Sequence, residues 1–350
     1  MILKNLIKGI LCVAVGMMLL ICREEASYGI KQGVNICLDV LVPSLFPFMI
    51  LSSFAVKYGI FSGGEGKCAR LFTKITGLPF SVFPAIFFGF TGGYPVGMSV
   101  AAELYENGVI DRKTALRLSS FCVNAGPAFI ITAVGTMIFG SSEAGFKLFF
   151  CVSTASVITG IIISFFIKSE ETYSVRNPCK QSFSDVFTGA VESSCKKMFV
   201  MCGWVLLFSC FSGIIGKYGR GQLSALWGVF GEVTAGVRSA EKTGGLPLTA
   251  ACISSGGLCV MCQLLPSMKK CGAGLREYLT FRILNSVISY VLMKIILIIS
   301  PVSVETFSYE CIPLGTGNVL SSVLLLVTSV VFVADMSSER GRKLRFDDLF

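Results

Sequence analysis

The chain has 350 residues, 53% of them apolar and 15% charged, with 30 lysines and arginines against 21 acidic residues and no histidine. This composition excludes an ordinary soluble domain. The net charge of +9 is accounted for by lysine and arginine in cytoplasmic loops, so no nucleic-acid partner is needed to explain it.

Several windows of about 18 or more residues lack charge and are long enough to span a bilayer. Asn5 to Cys22 reads as a retained first span entering from the cytoplasm, with Lys4 and Lys8 at its start. No small-x-small cleavage site follows it, and Ile21 is too large for lipoprotein processing at Cys22. Glu24 to Asp39 is amphipathic and predicts a segment at the outer interface. Val40 to Val56 predicts a second span, interrupted by Pro43 and Pro47. Lys57, Lys67, Arg70 and Lys74 against Glu65 alone place the next loop in the cytoplasm.

Leu78 to Leu104 enters the membrane through FFGFTGGYPVG, which carries Gly89, Gly92, Gly93, Pro95 and Gly97. Such a run interrupts a helix. Hydrocarbon offers the freed backbone groups no partners, so the break must be enclosed by protein or water. Glu103, Glu106, Asp111, Arg112, Lys113 and Arg117 then form a wet segment, so the stretch reads as a re-entrant hairpin. Asp111 to Thr114 reads as a helix cap. Leu118 to Phe139 is a span broken at Asn124-Ala125-Gly126-Pro127, and Leu148 to Ile167 is a plain span. After the polar linker comes amphipathic Asp185 to Lys197, then an outward span from Phe199 to Gly216. Gln222 to Gly236 is broken again, at GVFGEVTAG. Leu248 to Pro266 holds Ser254-Ser255-Gly256-Gly257 and Gln263. Ile283 to Ser300 and Val319 to Ala334 are the last spans, followed by a basic cytoplasmic tail.

The two halves match. Gly92 and Gly97 correspond to Gly231 and Gly236, with Gly89 and Gly228 opening the two nine-residue segments; Asn124-Ala125-Gly126 corresponds to Ser255-Gly256-Gly257. Loop charges give the halves opposite orientations. The expected fold is thus an all-α polytopic membrane protein with about eight transmembrane helices plus two re-entrant broken hairpins in an inverted-topology repeat. Its parts are residues 1–39, a first repeat 40–168, a linker 169–182, a second repeat 183–300, and a last span with tail 301–350. Both termini are expected in the cytoplasm.

Glu232 stands inside the second broken stretch, where a charge needs a cavity, a partner or a shallow position reaching water. Asn124, Ser254, Ser255 and Gln263 are neutral hydrogen-bonding groups at similar depth. They suit either the polar edges of a small solute or interhelical bonding. Tyr94 suits stacking on a solute or anchoring at an interface. The glycines and Pro127 permit the breaks rather than touch a ligand. Most cysteines fall in or beside apolar spans and read as small hydrophobes. Cys259 and Cys262 lack the second pair a zinc site needs. No Walker loop, GxSxG or paired acids are present. The chain is therefore read as a non-enzyme with no cofactor and no metal. Its expected partners are the lipid bilayer, a small solute, a coupling ion and a second copy of itself.

GFTGGYPVG (Gly89 to Gly97), LYENGVID (Leu104 to Asp111), FCVNAGPAFI (Phe121 to Ile130), GVFGEVTAG (Gly228 to Gly236) and SSGGLCVMCQ (Ser254 to Gln263) occur in this order. In them the chain resembles the YlbJ-type sporulation integral membrane proteins, within the wider nucleoside-recognition, or Gate, family. One departure is Val123, where that family tends to place a first asparagine before Asn124. The resemblance implies a bacterial cell-membrane protein of endospore formation and cortex assembly, with a transporter-like fold. A non-transporting scaffold for cortex-building enzymes and a translocase for lipid-linked precursors are the alternatives.

Overall fold

The computed structural model describes residues 2–60, 67–167, 182–218, 227 and 230–302. Among them every regular element is helical, and five helices are long and apolar enough to cross a membrane. Ile283, Val287, Val291 and Ile295 stand exposed along one helix face. Such a face is a liability in water and an ordinary surface in lipid. The chain is a multi-pass, all-α membrane protein in contact with the bilayer.

The first helix, α1 (Ile2–Ile21), is kinked at Cys22 from α2 (Arg23–Tyr58). α2 corrects two expectations. The segments 24–39 and 40–56 form one helix of 36 residues, and Pro43 and Pro47 do not break it. A π-helical stretch, Ile36–Leu41, lies directly before Pro43. A wide turn there absorbs the donor that proline lacks. The second half repeats this. Residues 185–197 and 199–216 fuse into α8 (Phe183–Tyr218), also 36 residues. At 1.5 Å per residue each helix is about 54 Å long, well beyond the roughly 30 Å hydrocarbon layer.

α2 and α8 lie antiparallel. Near the start of α2, a Cβ on Gly29 would collide with the Ser209 carbonyl, and one on Gly33 would come within 2.9 Å of the Ser209 side chain. Near its end, Lys57 Nζ donates to the Gly189 carbonyl at 2.9 Å. Gly29 and Gly33 form a small-xxx-small stripe, and such stripes let helix backbones touch in lipid. The segment is held by α8 rather than by an interface, which is why its polarity misled. Glu25, 8% exposed, is paired there with Lys217, so this lysine is balanced within the fold. Gly29→Ala is expected to destabilise the protein by about 2 kcal/mol through backbone separation. Gly203→Ala, which has open space around it, should be neutral. Thermal unfolding of the two purified variants checks this.

Between and after the long helices run two series of shorter elements. The first comprises α3 (Lys67–Thr76), a 3-10 turn (Phe80–Val82), α4 (Phe83–Gly92), α5 (Tyr94–Glu106) and α6 (Arg112–Phe121). A π-helical segment (Ala128–Thr136) and α7 (Ser142–Phe166) complete it. The second comprises α9 (Val233–Thr243), α10 (Gly245–Ser255), α11 (Gly257–Lys270) and α12 (Leu275–Ile299). Asp111 caps α6, accepting from the amides of Lys113 and Thr114 at 3.2 and 3.0 Å, as its sequence indicates.

α7 and α12 are antiparallel too. Lys147 donates to the Ser300 carbonyl at 3.0 Å, and further along Thr159 donates to Asn285 Oδ1 at 3.4 Å. One end of the bundle thus gathers Lys57, Glu103, Lys197, Lys270 and Arg112. There Lys197 pairs with Glu103, Lys270 with Glu106 at 2.9 Å, and Arg112 donates to the Gly272 carbonyl at 2.8 Å. The opposite end holds Glu25, Lys147, Lys217 and Ser300.

The segment from Glu103 to Arg117 is not uniformly wet. Arg117 is 3% exposed and donates to the carbonyls of Thr76 and Gly77 at the close of α3, at 3.0 and 3.1 Å. The guanidinium satisfies carbonyls that a helix end leaves free. The linker 169–181, the last expected span at 319–334 and the tail lie outside the described residues.

Candidate functional site

Four helix interruptions lie close together. In the first, α4 ends at Gly92 and the chain folds back at Gly93, with φ +88 and ψ −175. That conformation is essentially open to glycine alone. α5 starts at once, with Pro95 in its first turn, where a missing donor is harmless. The two arms touch: a Cβ on Gly97 would sit 2.7 Å from the Gly89 Cα, and both glycines press against the Cys122 carbonyl.

Cys122 opens the second interruption, which runs through Val123, Asn124, Ala125 and Gly126 before Pro127 restarts the helix. The first hairpin is therefore clamped on the second break. Gly93 and Gly126 are neighbours, a Cβ on Gly93 falling 3.2 Å from the Gly126 nitrogen. Asn124 is 1% exposed; its Nδ2 donates to the Phe121 carbonyl at 2.8 Å, and its buried Oδ1 has no partner.

The third interruption is at Gly231 and Glu232. Glu232 caps α9, its two oxygens accepting from the amides of Thr234 and Ala235, both at 3.0 Å. Gly236 is buried one turn into α9; Gly228 lies outside the described residues. The fourth is at Gly256 and Gly257, with φ +77 and +67, between α10 and α11. The third and fourth are joined by a 3.0 Å bond from the Cys259 amide to the Gly231 carbonyl. Tyr94 ties the first to the fourth: its hydroxyl donates to the Ile253 carbonyl, and its ring edge lies 3.8 Å from where a Gly256 Cβ would be.

At the junction stands a residue the sequence pattern did not single out. Arg282, on α12, is 3% exposed. It donates to Val123 O at 2.6 Å, Ser254 O at 3.4 Å and Ser119 O at 3.5 Å, and its guanidinium carbon lies 5.6 Å from the Tyr278 ring centre. It joins the free carbonyl ends of α6 and α10. A cation at helix C-termini is favourable. The apolar run in the sequence begins at Ile283, which leaves Arg282 as its flank, whereas α12 begins eight residues before Ile283, at Leu275. An arginine inside so apolar a helix was the available signal.

Of the expected contact residues, Tyr94, Asn124 and Ser254 belong to this junction, with Ser254 Oγ 2.5 Å from Ser289 Oγ. Glu232 and Gln263 flank Cys259 instead: Gln263 Nε2 donates to its sulfur at 3.3 Å. Ser255 turns back to the Cys252 carbonyl at 2.8 Å. Asn124 and Ser254 are each 1% exposed, so the breaks are closed on one another in this structure. A cleft of about 510 Å³ lies elsewhere, between α2 and α8 beside Glu25, Tyr28, Ser212 and Lys217. Among the described residues no group of three or more histidine, cysteine or acidic side chains could hold a metal ion.

The chain is similar to the sporulation integral membrane protein YlbJ of Bacillus subtilis (strain 168), with 25% identity over 216 residues. The match takes in 56% of this chain and 53% of that protein, so the chain spans about half the length of the curated relative it matches. The likeness to YlbJ-type proteins expected from the motifs is thus found. No family model and no solved structure matches the chain, and the wider nucleoside-recognition grouping is not recovered.

Proposed function

We propose that this relative of a sporulation membrane protein is a carrier acting in endospore formation, with its solute held between two oppositely oriented repeats. The observation that carries this reading is the meeting of four interrupted helices at one buried junction. Broken backbone inside a membrane protein is costly unless enclosed, and paired broken helices are the usual site architecture of secondary transporters. The antiparallel pairs α2 with α8 and α7 with α12 support the inverted relation of the halves. Gly93 and Gly231 head the two re-entrant hairpins. The end bearing Lys57, Arg112, Lys197, Lys269, Lys270 and Arg276 is richer in lysine and arginine and is assigned to the cytoplasm, along with both chain termini. The closed breaks correspond to an occluded form, which opens when the hairpins move.

On this reading Glu232 contacts the solute with the lone pairs its cap leaves free, joined by Gln263, Ser255, Asn124, Ser254 and Tyr94. The chain is a non-enzyme; energy comes from a gradient. Glu232→Gln keeps a capping oxygen and is expected to lower stability by no more than about 1 kcal/mol. It should nonetheless abolish flux in proteoliposomes screened with nucleosides, divalent cations, dicarboxylates and cell-wall precursors. Full flux in that variant sinks the assignment of Glu232.

One observation favours a scaffold as the second reading. At the basic end, Tyr58, Phe183 and Phe187 are 44%, 62% and 41% exposed and stack around Phe54, a surface suited to a protein partner. A scaffold tolerates Glu232→Gln and Asn124→Ala and fails when this aromatic group is replaced.

A further inference from the structure

Arg282 is the only described residue that bonds carbonyls of both broken helices, α6–π and α10–α11, and it makes no ion pair with a carboxylate among the described residues. Val123 lies within one break, and Ser119 and Ser254 stand in the last turns of α6 and α10. Unwound carbonyls and half-helix C-terminal ends are the groups with which transporters of this architecture hold Na⁺. Here a guanidinium occupies that place. Its planar fork presents several fixed donors. Its Nε is buried and unpartnered, as are Asn124 Oδ1 and the Tyr278 hydroxyl. Polar capacity therefore remains at the junction after the carbonyls have been satisfied.

We propose that Arg282 is a built-in cation that substitutes for a bound alkali ion between the two broken helices, so that the central junction neither binds nor needs Na⁺. This rests on the junction being the centre of the carrier, but it is tested without measuring transport. Three carbonyls bonded to one cation set the expectation. Removing the guanidinium leaves them facing a vacated position that a small cation fills, whereas an arginine serving only to fill space would leave nothing for an ion to bind.

The test is thermal unfolding of the full chain in detergent, in matched sodium, potassium and choline chloride. The wild-type protein is expected to melt at the same temperature in all three. Arg282→Ala should melt about 10 °C lower in choline chloride, since several buried acceptors lose their partner. Methylguanidinium should restore at least half of that loss, and sodium should raise melting above the choline value. Where the alanine variant does not fold, Arg282→Lys serves. It keeps a charge but not the fork, so it should melt below wild type and gain nothing from sodium; a sodium-stabilised Arg282→Lys protein overturns the proposal. A saturable sodium stabilisation of the wild-type protein overturns the proposal, and so does an Arg282→Ala protein that neither sodium nor methylguanidinium stabilises. Failure of the flux assay with these results intact would remove the carrier reading and leave the built-in cation standing.

Discussion

Gly97→Ala is expected to lose about 3 kcal/mol or more of stability, enough to deplete the folded protein from the membrane. The reason is a backbone-to-backbone contact. The new Cβ would strike the Cys122 carbonyl and come within 2.7 Å of the Gly89 Cα. Neither obstacle is the flexible end of a side chain, so relief requires opening the hairpin or unclamping it from the second break. Overpacking of that kind sits at the top of the usual 1–3 kcal/mol range or above it. Gly108→Ala should be far milder: its φ of +71 strains the variant, but nothing lies within 4 Å. Comparing the amounts of folded protein recovered by size-exclusion chromatography separates the two. Equal recovery would mean that the hairpin is not clamped.

This contact shows what could be read from the residues and what could not. Glycine and proline density marks where a helix stops, because both act through the local backbone. The breaks at Gly93, Gly126, Gly231 and Gly256 were accordingly legible. Which break touches which was not, since contact across the fold leaves no local trace. Polarity misled where tertiary partners absorbed it. Glu24 to Asp39 has the look of an interfacial segment, yet Gly29 and Gly33 seat it on α8. Arg117 has the look of a wet residue, yet it closes α3. Arg282 was missed for a related reason: a charge at the edge of an apolar run is ordinarily taken for a flank, and only the position of α12 reveals it as interior. The spacing of Pro43 and Pro47 announced a break that a π-helical turn absorbs.

Lys197→Met is expected to destabilise the protein by about 3 kcal/mol, because it leaves a poorly hydrated carboxylate without its cation. The Glu103 side chain is 12% exposed, one oxygen takes Lys197 and the Ser53 hydroxyl at 3.2 Å, and the other is buried without a partner. The pair joins the second arm of the first hairpin to α8, so its loss should also loosen that arm. Glu103→Leu in the Lys197→Met background removes the stranded charge and should recover part of the loss. A double-mutant cycle on melting is therefore expected to give a coupling of at least about 1 kcal/mol. A cycle that closes to zero would show that the two side chains act independently.

On the proposed function, two halves of opposite orientation bring the four interruptions to one junction. The turns at Gly108 and Gly245 follow corresponding helices of the two halves, and neither has an atom within 4 Å of a built Cβ, so both accept a short epitope. The most direct measurement is antibody access to an epitope placed at each turn in intact and in permeabilised cells. With the halves inverted, the Gly245 epitope is reached from outside and the Gly108 epitope only after permeabilisation; both epitopes on one side of the membrane would contradict the inversion.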